Sequence, residues 1–406
     1  MYRHCIYFLL FTAAISQGFG QSALDDYLET AVNNHPGLKS TYAEFEASLQ
    51  KITQVSSIED PNFKVSAFGQ MVETRTGQQM ARFTLEQMFP WFGTLAEQKN
   101  AAALNAEAKF ESYKTERNEL MYQVKEVYYP LYELEQAIRL NEENLRILET
   151  FKSLATAKFR NGKGKLSDAL RVDIMTNEIN TEISILRDKK KPLITAFNKL
   201  LNRDEMAEVE VNSALEIVEP IINRDSLINN PRLEELRKKV MASEALERAA
   251  VKQSMPKLGV GFEYIITQKR PEIDFSDNGK DAYMAMFSVS LPIYRAKYKA
   301  AIKETQLMQT SYTEMQKQVE NSLIAEYEMS SFEAERNRKQ MNLYHKQAEQ
   351  AKQIVSLLLS SYGNDESDFE EILTVQQMLL EYQMKEITAT KDFYLAVAKL
   401  DLLVAD

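Results

Sequence analysis

The chain has 406 residues, enough for two or more ordinary domains, with 27% charged residues and a mean hydropathy of -0.39. That composition leaves no room for a bundle of membrane helices, and a net charge of -10 lacks the basic footprint of a nucleic-acid binder. One cysteine, Cys5, excludes a disulfide framework.

Arg3 precedes an apolar run over residues 6–15 that is too short to span a membrane, and Gly18-Phe19-Gly20 follows it. The pattern predicts a secretory signal over residues 1–20, cleaved near Gly20 and Gln21. Cys5 lies before the apolar run, so it cannot serve as a lipid anchor after cleavage and the mature chain carries no thiol. Such a chain fits the bacterial periplasm or outer membrane.

Helices are predicted over residues 23–34 and, after Pro36, over 37–57. Between Pro61 and Pro90 the period changes to two. Phe63, Val65, Ala67, Gly69 and Met71 alternate with Lys64, Ser66, Phe68 and Gln70. After a polar turn over residues 74–78, Ala81, Phe83 and Leu85 alternate with Arg82, Thr84 and Glu86. Residues 63–89 therefore read as a hairpin with one apolar and one polar face. Residues 94–159 return to helical, coiled-coil composition, with Leu120, Val124, Val127, Leu131 and Leu134 at threes and fours. A helix of that length reaches on the order of 100 Å, and Pro130 should kink it or cost a hydrogen bond. A glycine-bearing turn at 160–165 leads to a returning helix over 166–201. Residues 202–230 are mixed, with a short strand expected at 210–211 or 215–218.

The plan then repeats. A helix over 232–253 leads to a second hairpin at 258–291, in which Leu258, Val260, Phe262, Tyr264 and Ile266 form one stripe and Tyr283, Ala285, Phe287, Val289 and Leu291 another. A long helix over 294–361, a turn at 363–368 and a returning helix over 369–404 complete it. Pro36 to Pro61 and Pro231 to Pro256 are both 25 residues, whereas Pro61 to Pro90 is 29 and Pro256 to Pro292 is 36. The chain is a tandem duplication with a period near 195–203 residues, divided as repeat 1 over 21–201, a linker over 202–230 and repeat 2 over 231–406. The second hairpin carries a longer loop, over residues 268–280.

Four strands cannot close a barrel, and an open sheet edge is not tolerated in hydrocarbon, so apolar stripes facing lipid require several chains to pool strands. Three chains would supply twelve. Lys64, Gln70, Arg82, Glu86 and Glu263 would then line a wet lumen. The competing reading is a soluble sheet with one face on a helical layer.

No chemistry-bearing constellation accompanies this pattern. Gly162-Lys163-Gly164-Lys165 lacks the spacing of a phosphate loop, with Leu166 where Ser or Thr should stand. His4, His35 and His345 are the only histidines, no metal-ligand spacing is present, and no Ser/His/Asp, Cys/His or G-x-S-x-G arrangement occurs. No catalytic residue, metal site or cofactor is expected. Met71, Met80, Met88, Met284 and Met286 fall on the strands. Thioethers bind soft Cu(I), but methionine is also plain apolar filler, and that reading is preferred.

The chain resembles the outer membrane efflux protein family, the TolC-like exit ducts. The carriers are Asn34-His35-Pro36-Gly37-Leu38 and its compact copy Asn230-Pro231-Arg232-Leu233; Phe89-Pro90-Trp91-Phe92-Gly93 and Leu291-Pro292-Ile293-Tyr294-Arg295; and the tips Phe159-Arg160-Asn161-Gly162 and Tyr362-Gly363-Asn364. Each is weak alone, but they occur twice in the same order across the mature chain. The resemblance implies a mainly α fold with a small β part: a homotrimer, a twelve-stranded barrel in the outer membrane of a Gram-negative bacterium, and an α-barrel in the periplasm. It also implies a periplasmic adaptor and an inner-membrane pump, of the RND type first and the ABC type second. Residues 202–230 would join an equatorial girdle. The length and the Phe-Pro-Trp-Phe-Gly-Thr segment resemble relatives in heavy-metal efflux systems.

Family gates pair an aspartate in the first tip with a tyrosine and a basic residue in the second. Asp168 and Tyr362 match the first two. The basic position falls near residues 366–367 and is absent; Asp365, Glu366, Asp368, Glu370 and Glu371 make the second tip acidic. Closure is therefore expected to rely less on ion pairs, or on Lys163 and Lys165 of the first tip. The alternative function is a soluble periplasmic coiled-coil adaptor or scaffold. Adaptors, however, carry lipoyl-like and β-barrel segments rather than two lipid-style hairpins.

Overall fold

Helix boundaries fall where proline, asparagine and glycine supply or remove backbone donors. The computed structural model describes residues 23–212, 215, 223–272, 274–363 and 368–404, with only the backbone of Met71. In chain order these form α1 (Ala23–Asn34), α2 (Pro36–Ser56), β1 (Asn62–Thr74), β2 (Gly77–Phe89), α3 (Thr94–Arg160), α4 (Leu166–Leu200), a 3-10 turn (Arg224–Asn229), α5 (Pro231–Gln253), β3 (Lys257–Gln268), β4 (Ala282–Ser290), α6 (Ala296–Gly363) and α7 (Phe369–Val404). The predicted signal over 1–20, Asp365, Glu366 and residues 216–218 lie outside the described residues. The strand expected at 210–211 is not formed; those residues run without regular structure.

Pro36 and Pro231 each open a helix, the position where a missing N–H costs nothing. Asn230 caps α5 by accepting from Arg232 N at 3.0 Å, while its amide donates to Leu403 O at 2.9 Å. At the other end of a long helix, Gly162 adopts φ +73° just after α3. Its N–H returns to Phe159 O and that of Lys163 to Lys158 O, a Schellman stop. Pro130 and Pro192 stay inside α3 and α4 without ending them.

The chain divides into two compact units, and each draws on both sequence repeats. The first holds α1, residues 120–219 and residues 334–395. Its core is Leu148, Phe151 and Ala155 of α3, Val172, Met175, Ile179 and Ile183 of α4, Val355 and Tyr362 of α6, and Phe369, Ile372 and Leu373 of α7. Within it lies one buried polar pair, Gln376 Nε2 donating to Asn144 Oδ1 at 2.8 Å. A pair of that kind specifies which turn of one helix meets which turn of the other.

The second unit holds residues 36–119, 220–333 and 396–406, including the sheet. Strand order is β1-β2-β3-β4, antiparallel throughout, so β2 and β3 join the hairpins of the two repeats and β1 and β4 are its edges. Small residues let α3 and α5 approach through Ala101, Leu104, Ala242 and Ala245. Beside that contact Glu97 accepts from Arg248 Nε at 2.9 Å and from Lys252 Nζ at 3.1 Å. The Arg248 hydrogen bond first, and then that of Lys252, hold the Glu97 carboxyl below its ordinary value of 4.5. A lowered carboxyl stabilises the fold above its ordinary value, and the gain is lost as pH falls through the lowered one. Glu97→Gln should therefore cost no more than about 1 kcal/mol near neutral pH. In chemical-denaturation curves against pH, its difference from the unmodified chain should begin to shrink below pH 4.5 and vanish only once pH has fallen past the lowered folded-state value.

Candidate membrane sheet and helical tips

Register decides which side chains share a face of the sheet. Val65, Phe83, Tyr264 and Tyr283 lie in one row across the four strands, and Phe63, Leu85, Phe262 and Ala285 in the next. Leu258 with Phe89 and Val289, and Val260 with Phe287, continue the same face. This surface is bare in the single chain: Phe287 is 70% exposed and Tyr283 75%, with Phe63, Val65, Leu85, Val260 and Phe262 also exposed. Aromatic and aliphatic side chains left open on a regular row of strands, rather than covered by helices, are what a lipid-facing wall presents. Beyond the proline that ends each hairpin, Phe92, Ile293 and Tyr294 are exposed as well, where an interfacial aromatic girdle would sit.

The opposite face carries the charges. Glu263 is 6% exposed, accepts from Thr84 Oγ1 at 3.2 Å, and lies 3.3 Å from Arg82 Nε. Arg82 also covers the Phe68 ring at 5.7 Å. Lys64 is 3.6 Å from Glu86, which accepts from Ser288 Oγ at 2.8 Å. Four of the five expected lumen residues thus belong to one surface. Gln70 does not join them by pairing, because it falls in the register shift between Ala67 and Val72. The wet face is also less polar than its sequence alternation suggests. Ile265 is buried there beside Arg82, and Met284 and Met286 stand on β4 opposite Glu263 and Gly261. Gly259 and Gly261 keep this face of β3 thin: a Cβ at Gly259 would strike Ser288 Oγ and Met88 Sδ, and one at Gly261 would crowd the Leu85 carbonyl and Met286.

The tips are the second candidate. Tyr362 is buried against Phe369 at 5.1 Å between ring centroids, and Phe369 against Phe151 at 6.3 Å. Lys158 donates to the Tyr362 carbonyl and lies 4.1 Å over its ring. Arg171 of α4 meets Glu370 of α7 at 2.7 Å. Asp168 is buried in the first turn of α4. Asp368 accepts from Glu370 N at 3.4 Å, as a residue capping α7 does. Lys163 and Lys165, expected to act on the acidic tip, are exposed side chains of the first turn. Among the described residues, Lys158 and Arg171 are also set against the second tip, and sequence reasoning did not name them. Their signal was there only as basic residues flanking the 160–165 turn, two residues before it and six after it.

No helix among the described residues is long and apolar enough to cross a membrane, which says nothing of a β-barrel. Among the same residues no His, Cys, Asp or Glu group could hold a metal ion.

A profile described as Outer membrane efflux protein matches residues 27–186 and 223–405. Among solved structures, the outer membrane protein VceC of Vibrio cholerae is similar over 94% of this chain and 95% of its own, with 14% identity and a TM-score of 0.75. CusC, studied for folding and transmembrane channel formation, is 13% identical over 94% and 92% of the two chains, with a TM-score of 0.76. The open state of the Neisseria gonorrhoeae MtrE outer membrane channel is 15% identical over 94% and 88%, with a TM-score of 0.75. Among curated proteins none matches the sequence.

Proposed function

Since the chain belongs to the outer membrane efflux protein family, we propose that it is the passive exit duct of a tripartite efflux system. It sits in the outer membrane of a Gram-negative bacterium and extends into the periplasm. Three copies pool four strands each into a twelve-stranded barrel, with Lys64, Arg82, Glu86 and Glu263 on the lumen side. An inner-membrane pump, of the RND type or else the ABC type, supplies energy, a periplasmic adaptor joins pump to duct, and the chain performs no chemistry on the cargo. Metal cations or small toxic compounds are the cargo class.

The observation that carries this reading is the sheet with a bare apolar face and two edges that no other strand among the described residues meets. Unpaired donors and acceptors along β1 and β4 cannot remain open in lipid, so other strands must meet them. Membrane fractionation with heat-modifiable gel mobility tests it: a membrane-bound, heat-dissociated oligomer is expected, and a soluble monomer would end the proposal. Deleting the chain and screening sensitivity to metals, detergents and antibiotics identifies the cargo.

The periplasmic gate is placed at the tips, formed by Asp168, Tyr362, Asp365, Glu366 and Asp368 with Lys163 and Lys165. Lys158 and Arg171 brace the second tip from within the same chain. Three acidic tips brought together favour cations. Reversing Asp365 and Glu366 to lysine should shift the reversal potential of single channels toward anions; unchanged selectivity would remove these residues from the conduction path.

A further inference from the structure

The two hairpins end differently at the side away from the helices. Hairpin one turns through Arg75 and Thr76 alone, with Thr74 paired to Gly77. Two-residue hairpin loops favour turns with positive φ at the first or both central residues. Among the described residues, Asn202 is the one non-glycine with positive φ, so neither Arg75 nor Thr76 supplies it. Gly77 takes φ +137° instead, and a Cβ there would strike the Gln268 carbonyl. The turn is therefore a poor one by itself, held against β3.

The longer β3–β4 loop reaches across to it. Gly279 N donates to Thr76 O at 2.7 Å. Arg270 Nη2 donates to Thr74 O at 2.6 Å and to Glu73 Oε2 at 3.0 Å, bridging residues almost 200 apart in sequence. Arg75 lies 3.9 Å from Asp277. The loop is itself closed: Arg270 N donates to Asn278 Oδ1 and Asn278 Nδ2 to Arg270 O, both at 2.9 Å, and Asp281 accepts from Thr267 N at 2.8 Å. Loops of this length are uncommon without a use.

We infer that this loop is a strap, built by the extension in the second repeat to hold the first repeat's turn in register. Resting on the duct reading, it makes each chain present a preformed four-stranded sheet before β1 and β4 meet other copies. Pairing β2 with β3 is a non-local event, slow to find and easily slipped. The strap fixes its far end.

The test unfolds the full chain in denaturant, transfers it to detergent micelles, and follows the appearance of the heat-modifiable oligomer. Arg270→Ala removes two charge-assisted hydrogen bonds and is expected to slow assembly about tenfold. The double swap of Glu73→Arg with Arg270→Glu should recover part of that rate, which a chain that had merely misfolded would not do. Channels that do assemble should keep the unmodified conductance. Equal rates for Arg270→Ala and the unmodified chain would overturn the strap while leaving the duct standing. So would a changed conductance at an unchanged rate, which would put the loop in the conduction path. Failure of the unmodified chain to form a membrane oligomer overturns both.

Discussion

Phe262→Arg is expected to abolish stable membrane assembly, whereas Met284→Arg, in the adjacent row and so on the other face, should be tolerated. Phe262 sits near the middle of β3, in the row of Phe63, Leu85 and Ala285. An arginine on the lipid face near the bilayer midplane costs about 2–4 kcal/mol per chain, and a symmetric trimer carries it three times. The apolar area of the ring is lost as well. Met284 is also exposed in the single chain, and it lies opposite Glu263 on the charged face. Exposure therefore cannot separate the two positions; the side of the sheet does. Yield of the heat-modifiable oligomer in membranes measures both. If the two variants assemble equally well, the assignment of faces is wrong, and with it the barrel.

Much of this contrast could be read before any coordinates, because strand faces follow from a period of two and the prolines at 61, 90, 256 and 292 mark where that period begins and ends. Helix limits were equally legible: α1 and α7 have the predicted bounds, α2 differs from prediction by one residue at each end, and α4 by one residue at its last turn. What alternation cannot report is pairing. Ile265 reads as one more apolar strand residue, and only register places it beside Arg82 on the charged face. Gln87 is a polar residue in the apolar row, paired with Val260, and register brings its amide within reach of the Glu59 carbonyl, to which it donates at 2.8 Å. The tip contacts were hidden for a related reason. Arg171 and Glu370, or Lys158 and Tyr362, are some 200 residues apart, and a duplicated chain offers each helix several equally apolar partners. The resemblance pointed to the tyrosine and the aspartate but not to the cations that meet this tip.

Phe369→Ala is expected to loosen the second tip and raise the conductance of the resting channel. Phe369 is 1% exposed and sits between Tyr362 and Phe151, at the first residue of α7. Removing a buried phenyl ring costs about 3–5 kcal/mol where the surroundings cannot collapse into the space. Around the tip that cost is local, because the elements meeting there are helix ends: α3 stops at Arg160, α4 begins at Leu166 and α7 begins at Phe369. The ring also positions Tyr362, whose carbonyl and π-face both receive Lys158. With the ring gone, Lys158 loses a fixed partner, and at the tip the Arg171–Glu370 pair remains as a polar link between α4 and α7, above the apolar core that they share. That pair is largely exposed, worth no more than about 1 kcal/mol and weakened by salt. Phe369→Ala channels should therefore open more readily at high ionic strength, whereas Glu370→Gln alone should shift gating only slightly. Hydrogen exchange should show faster opening at 355–363 and 369–373, with protection at Asn144 and Gln376 retained because their buried pair lies farther from the helix ends. Unchanged conductance together with accelerated exchange would mean that the tip can loosen without gating the duct, and the gate would have to be sought elsewhere along the lumen.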